Sequence, residues 1–310
     1  MNFYIVDAFT EKLFGGNPAG VVVIPEGRSF PPEEIMLKTA AELRYSETAF
    51  VLPLGSDEFQ IRYFTPTDEV DLCGHATIAS FEALQSEGLV RSGIDYTVHA
   101  LAGDIKVRID KSSVMMGMAS PELIKTLNDP LEIDRLYDIM GGEYDSSLGL
   151  LPMIISTGLP DIMMPVSNID ELNALAPKMD ALSDLSRVYG VTGVHAFTIA
   201  KDDDEEEEDK EKDDYADIII HARNFAPLYG IDEEAATGTA NGALTHYLKT
   251  NNIISVPATC NVIQGEAMQR PSVIMTNIMT GSTTESECSS IHEIFVGGSA
   301  RILAKGEINI

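Results

Sequence analysis

The sequence predicts an α+β fold of two similar halves, each a strongly curved antiparallel sheet around one buried helix. Three observations carry that expectation. A pentapeptide of the form R-x-F-x-P occurs twice, as Arg62-Tyr63-Phe64-Thr65-Pro66 and Arg223-Asn224-Phe225-Ala226-Pro227. Each copy runs into a small-residue turn, Asp71-Leu72-Cys73-Gly74-His75-Ala76 in the first and Glu234-Ala235-Ala236-Thr237-Gly238-Thr239-Ala240 in the second. Each turn opens a helical pattern, over residues 76–84 and 240–248, that is small and apolar on nearly every side, as buried helices are. A repeat in this order reads as a duplication.

The other elements follow along the chain. Short apolar runs at residues 2–6, 19–24, 48–52, 59–64, 95–98, 105–109 and 113–118, bounded by Gly, Pro and Asp, read as strands of the first half. Residues 195–199, 218–222, 272–279 and 293–296 read the same way in the second. Pro31-Pro32 opens an amphipathic helix that should end near Leu43, and residues 180–189 are its counterpart. Gly88 and the pair Asn251-Asn252 stop the two buried helices. The boundary is expected near residues 119–121, giving halves 1–119 and 120–310, with the last strand free to return to the first half.

Charge narrows the function classes. Against 21 Lys+Arg stand 49 Asp+Glu, a net −28. Residues 201–214 (KDDDEEEEDKEKDD) hold −8 of this and read as a solvated loop. Phe50 to Arg62 is 12 positions and Phe197 to Arg223 is 26, so the excess of 14 matches an acidic insertion at a hairpin tip. The remaining acidic surface argues against nucleic acid or an anionic membrane as partner. No apolar run is long enough to span a bilayer, and the N-terminus lacks the pattern of a secretory signal. The 3 cysteines, Cys73, Cys260 and Cys288, form no C-x-x-C pair, and the 6 histidines show no metal-ligand spacing. A soluble cytoplasmic protein without a metal is expected.

Gly74 and Gly238 stand at helix starts, where unpaired N–H groups and the helix dipole favour a carboxylate or enolate oxygen. Meeting across a cleft between the halves, they would cradle a small anionic substrate; ordinary starts capped by His75 or Thr237 are the plain alternative. Ser46-Glu47-Thr48-Ala49-Phe50 carries an acid where Gly193-Val194-His195-Ala196-Phe197 has Val194, and His75 is matched by Thr239. One dominant base, Glu47, with polar helpers points to proton movement on a single face of the substrate. A helix cap or a salt bridge to Arg44 or Arg62 is the structural alternative for Glu47. Asn17 is a further polar contact to substrate, or a turn former.

The ordered set Asp7-Ala8-Phe9-Thr10, Phe14-Gly15-Gly16-Asn17-Pro18-Ala19-Gly20, Ser46-Glu47-Thr48-Ala49-Phe50, Phe64-Thr65-Pro66 and Cys73-Gly74-His75-Ala76-Thr77 resembles the PhzF-like (phenazine biosynthesis-like) family. Arg223-x-Phe225-Ala226-Pro227, Glu234-x-Ala236-Thr237-Gly238-Thr239-Ala240, Gln264-Gly265 and Arg270-Pro271-Ser272 continue it over nearly the whole chain. The resemblance implies a diaminopimelate-epimerase-like fold, a homodimer, and a cofactor-independent isomerase in which Glu47 moves a proton. It assigns His75 to the family's histidine, Glu234 to its second-half aspartate and Thr239 to its serine, with Thr237 and Gly238 beside them. Where the pattern reads Glu-Asp-Pro, this chain has Glu233-Glu234-Ala235, which replaces the acid by a longer one and removes a stiffening proline. Two alternatives stay open: a two-base racemase, for which Cys73 is matched only by the weakly acidic Thr237, and a non-catalytic carboxylate-binding protein.

Overall fold

The computed structural model describes residues 1–110, 113–199, 218–281 and 292–310, so the acidic insertion at 201–214 lies outside the described residues. The chain forms two compact units. Unit 1 is Met1–Gly117 with Gln269–Val273 and Val296–Ile310; unit 2 is Met118–Met268 with Ile274–Phe295.

Unit 1 begins β1 (Asn2–Ala8), β2 (Asn17–Val23), α1 (Glu33–Leu43), β3 (Thr48–Pro53), β4 (Glu58–Phe64), β5 (Glu69–Val70) and α2 (Gly74–Ser86). It continues with β6 (Asp95–Ala100), β7 (Gly103–Asp110) and β8 (Ser113–Gly117). Unit 2 holds β9 (Glu122–Thr126), α3 (Pro130–Met140), β10 (Met153–Ser156), β11 (Pro160–Pro165), α4 (Ile169–Ala174), α5 (Met179–Tyr189), β12 (Val194–Ile199), β13 (Ile218–Ala226), β14 (Ile231–Glu234), α6 (Gly238–Thr250) and β15 (Ala258–Gln264). The strands β16 (Ser272–Thr280) and β17 (His292–Gly298) are divided between the units, and β18 (Ala300–Glu307) belongs to unit 1.

The two ladders repeat one another. In unit 1, β1 pairs antiparallel with both β18 and β2, β2 runs parallel to β3, and β4 pairs antiparallel with β3 and β5 and parallel with β6. In unit 2, β10 pairs antiparallel with β9 and β11, β11 runs parallel to β12, and β13 pairs antiparallel with β12 and β14 and parallel with β15. The sheets are thus mainly antiparallel, as expected, with two parallel joins in each. Helices bridge the parallel strands, because a parallel connection needs a crossover that a tight turn cannot supply: α1 between β2 and β3, α4 and α5 between β11 and β12.

The buried helices fall where the apolar pattern predicts. In α2 nine residues are buried, from His75 to Leu84, and α6 buries nine as well. Ala, Gly, Ser and Thr make up most of both, so sheet strands approach from several sides. The hydroxyls that come with this composition bond back into the helix, Thr77 Oγ1 to Cys73 O at 2.7 Å, Ser80 Oγ to Ala76 O at 2.6 Å and Thr245 Oγ1 to Asn241 O at 2.9 Å. By contrast α1 buries only Met36, Thr39 and Ala40, one amphipathic face. The predicted partner of α1 is found as α5, while α3, α4 and the strands β5, β9 to β11, β14, β15 and β18 were not expected from the sequence.

A second, unpredicted symmetry fixes the turns. Arg62 holds Glu69 with two hydrogen bonds, Nε to Oε1 at 2.7 Å, and lies over the Phe64 ring at 5.2 Å. Arg223 does the same to Glu233, at 2.8 Å for each bond, and lies over Phe225 at 4.8 Å. Paired guanidinium–carboxylate bonds of this kind are directional as well as strong. Each clamp ties a long strand, β4 or β13, to the short segment that leads into the buried helix.

Pairing also corrects the correspondence read from sequence. Phe50 faces Arg62 across β3 and β4, but Phe197 faces Ala222, not Arg223. The second hairpin is therefore one residue out of the register that the 14-residue excess implied, and Thr48, paired with Phe64, is matched by Val194, paired with Phe225. By this register the residue opposite Glu47 is Gly193.

In unit 1 the α2 side chain Phe81 packs edge-on to Phe59 at 5.7 Å and tilted to Tyr96 at 5.6 Å, and all three are buried. Phe81→Ala removes the centre of this trio and is expected to cost about 3–5 kcal/mol. Urea denaturation followed by tyrosine fluorescence and circular dichroism checks it.

Candidate active site

The first cluster lies in unit 1, at the start of α2. Cys73 is extended there (φ −139°, ψ 116°) and its side chain makes no capping bond, so the first-turn amides lack the usual side-chain acceptor. His75, buried, is the second residue of the helix. Asn17 Nδ2 is 3.2 Å from His75 Nδ1, Ser46 Oγ is 3.3 Å from Nε2, and Cys73 Sγ is 3.4 Å from Nδ1. Glu47 Oε2 approaches His75 Nε2 to 3.2 Å. That is an ion-pair distance without hydrogen-bond geometry, and Oε2 is a buried oxygen with no hydrogen-bond partner. Burial lowers the His75 pKa, with the Glu47 charge opposing, so the imidazole is neutral at neutral pH. A neutral ring has one N–H to donate and one lone pair to accept.

Each of these side chains is held from behind. Glu47 precedes β3, and its carbonyl accepts the Gly20 N–H of β2 at 3.3 Å. Asn17 opens β2 after a loop pinned by Arg270, which donates to Gly16 O at 2.9 Å, Gly15 O at 2.8 Å and the buried Asp7 Oδ1 at 3.0 Å. Gly16 has φ 64°, and a Cβ there would lie 2.1 Å from Ala8 O, so no other residue fits that turn. The pairing of Glu47 with Arg62 or Arg44 considered from sequence is not made: Arg62 is taken by Glu69 and Glu33.

The second cluster lies in unit 2, at the start of α6. Thr237 repeats the Cys73 geometry (φ −129°, ψ 112°), and α6 matches α2 at 13 residues. Thr237 Oγ1 donates to Glu234 Oε2 at 3.3 Å, and the Thr237 N–H donates to Gln264 Oε1 at 3.3 Å. Gln264, buried, also donates to Glu234 O at 2.8 Å and receives Asn241 Nδ2 at 2.9 Å. Thr239 O accepts from Thr157 Oγ1 at 2.9 Å. A Cβ added at Gly238 would meet nothing within 4 Å, and its φ is not left-handed. Neither packing nor backbone strain calls for glycine here, whereas close approach of a ligand to the amides would.

Sequence reasoning missed three features. Glu47, Cys73 and His75 converge so that one ligand-type atom from each lies within 4.8 Å of the others, a juxtaposition that linear spacing conceals. His195, buried in β12, contacts Asn241 Oδ1 and Asn224 Nδ2, both at 3.3 Å, and burial pushes its pKa down to about 4. Asp161, buried in β11, has its pKa pushed up to about 8 by burial and by Glu234, against a bond from Gly193. Its Oδ1 has no hydrogen-bond partner. The only signal in the sequence was an acid opening the apolar run Ile162-Met163-Met164.

Residues 6–306 match the family of phenazine biosynthesis-like proteins, PhzC-PhzF. The chain belongs to this family. A relative from Clostridium acetobutylicum, named an uncharacterized isomerase, is 30% identical over 99% of this chain and 97% of its own. The crystal structure of a Bacillus anthracis PhzF-family protein is similar at TM-score 0.80 and 26% identity, covering 100% of this chain and 99% of that one. A predicted epimerase from Pseudomonas aeruginosa, 21% identical, shares the fold at TM-score 0.73 over 100% and 99% of the two chains. This PhzF-family chain is an isomerase with the diaminopimelate-epimerase-like α+β fold. Among the described residues no helix is long and apolar enough to cross a membrane.

The displaced Asp161 pKa fixes a sign. An unfolded Asp ionises near pH 3.8, the folded one near 8, so the folded state holds the extra proton between those values and stability falls as pH rises through that window. Asp161→Asn should match the wild type near pH 4 and become progressively more stable than it toward pH 8. Denaturant midpoints measured across that range check the sign.

Proposed function

We propose that the protein moves a proton between carbon atoms of a small unsaturated or amino carboxylate, with Glu47 as the base and no cofactor. The observation that carries this reading is the Glu47 Oε2 atom: a buried carboxylate oxygen without a hydrogen-bond partner, 3.2 Å from a neutral histidine. A carboxylate oxygen that holds no hydrogen bond within the protein has its lone pairs open to a proton from a bound substrate.

In this reading Glu47 takes an acidic C–H proton and returns the same proton to a conjugated carbon, so the reaction is balanced within the substrate. The negative charge that builds between the two steps spreads over the conjugated system. His75 donates its single N–H to the developing oxyanion, and the uncapped amides beginning at Gly74 add partial positive charge without rearranging. Asn17 at Nδ1 sets the ring's tautomer. Glu234, Thr237, Gly238 and Thr239 are assigned substrate contacts from the resemblance, with the Thr237 hydroxyl steering Glu234 and the open space at Gly238 supporting close approach. The homodimer is part of this reading by the same resemblance.

A racemase would need a second acid matched to the first. By strand register Glu47 is matched by Gly193, whose added Cβ would lie 1.8 Å from Phe225 O, so no side chain fits at that position. This supports a single base acting on one face.

Proton NMR in D₂O with a panel of small carboxylates tests the proposal. Wild type should isomerise or exchange a C–H of at least one member, and Glu47→Gln should lose about 10²–10⁴-fold in rate while still binding it. Equal line broadening in both proteins with no chemistry in either would replace the isomerase reading by a carboxylate-binding one.

A further inference from the structure

Where α6 ends, unit 2 carries a cluster that the proton-transfer reading leaves unused. His246 and Lys249 stand three residues apart at the end of α6, so they share one side of the helix. His292 opens β17 close enough for its ring to act on His246. An open cavity of about 560 Å³ is lined here by Lys249, His292, Asn252, Ser255, Ile254 and Val256 among others. Pockets for small organic ligands usually measure about 300–1,000 Å³.

The chain leaving α6 turns back over the helix end and takes up its carbonyls. Asn251 Nδ2 donates to Tyr247 O at 2.9 Å, the Ile253 N–H to Leu248 O at 2.9 Å and the Asn252 N–H to Lys249 O at 3.0 Å. Asn252 has φ 56°, the left-handed conformation that commonly ends a helix. These last-turn oxygens are already bonded, so they compete little for the Lys249 ammonium. The two rings are incomplete as well: His246 Nδ1 and His292 Nδ1 are buried nitrogens without a hydrogen-bond partner. Burial first and the Lys249 charge second lower the pKa of both, with His292 adding to the effect on His246 and Met279 opposing it at His292. In a chain with 49 Asp+Glu, no carboxylate among the described residues acts on either ring. A buried polar atom left unpaired is costly, and a cation beside two such atoms calls for an anion from outside.

We propose that this cavity binds the phosphoryl group of a small phosphate monoester, with Lys249, His246 and His292 as its cationic wall. A phosphoryl group presents three strong acceptor oxygens and close to two negative charges to three donors, whereas a carboxylate presents two oxygens and one charge. Ile254 and Val256 offer the organic body an apolar surface, and Asn252 and Ser255 add polar contacts at the rim. The arriving anion offsets the Lys249 charge that disfavours imidazolium, so the rings take up protons from solvent. Each then donates through Nδ1 after turning about its Cβ–Cγ bond, a torsion with broad wells. The ester is bound, not transformed. The site lies at the opposite end of α6 from Gly238 and rests on nothing assigned to Glu47.

Calorimetric titration of the full chain with phenyl phosphate, in phosphate-free buffers of different ionisation enthalpy, tests the site. One ligand should bind per chain, with at least one proton taken up at pH 7. Affinity should fall about tenfold per pH unit, between pH 7 and 8, for each proton taken up. Lys249→Gln should weaken binding on the order of 10-fold or more, and His246→Gln and His292→Gln should each reduce the proton uptake. Benzoate should bind on the order of 10-fold or more weakly than phenyl phosphate, and inorganic phosphate should also bind more weakly. Circular dichroism identifies the variants that fold, while the wild-type proton uptake and the ligand comparison need no variant. No binding at millimolar phenyl phosphate, binding without proton uptake, or unchanged affinity in folded Lys249→Gln overturns the site. Benzoate bound as tightly overturns the phosphoryl assignment, and inorganic phosphate bound as tightly overturns the ester.

Discussion

A helix enclosed by a sheet has to be built from small residues and has to find partners for its own ends. That constraint organises both units. The alanines, glycines and short hydroxyl residues of α2 and α6 let strands approach from several directions, and the hydroxyls bond to the preceding turn, so their polarity is absorbed locally. Neither Cys73 nor Thr237 caps the amides at the helix start with its side chain. Both buried helices thereby begin without the side-chain cap that most helix starts carry.

The segments feeding these helix starts are tied down by like devices. Arg62 grips Glu69 and Arg223 grips Glu233, each guanidinium lying over a phenylalanine of its own strand. In unit 1 a further arginine, Arg270, returns from late in the sequence to lock the loop before Asn17 through the buried Asp7. Rigid support of this kind matters for a carboxylate such as Glu47, since one kept from water stays so only while its surroundings cannot relax toward it.

The duplicated halves have diverged by sterics as much as by side-chain chemistry. Where unit 1 presents Glu47, unit 2 has Gly193 pressed against the Phe225 carbonyl, and its buried acid, Asp161, comes from the neighbouring strand. The polar interior differs too: Tyr63 meets Thr77 at 2.7 Å in unit 1, while the matching positions of unit 2 hold the His195, Asn224 and Asn241 cluster. One sheet architecture therefore carries two different sets of buried polar groups.

The sequence by itself determined the duplication, the two buried helices, α1, and each strand of the alternating runs, because small-residue helices and period-two strands leave local patterns. Glu47, His75 and Glu234 were legible as candidates through motifs that stand in order along the chain. Strands β5, β9 to β11, β14, β15 and β18 and helices α3 and α4 were not: β5 and β14 are very short, β9 is largely exposed, the apolar runs of β10 and β11 are short and cut by Pro152, Pro160 and Pro165, and α3 has no counterpart in the first half that would mark it as part of the repeat. The one-residue register offset, the clash that bars a side chain at Gly193, the acid at Asp161 and the meeting of Glu47 with Cys73 and His75 were decided only by the tertiary structure. Strand register and distances between residues far apart in the chain are set by which surfaces pack together, and no short-range pattern records them.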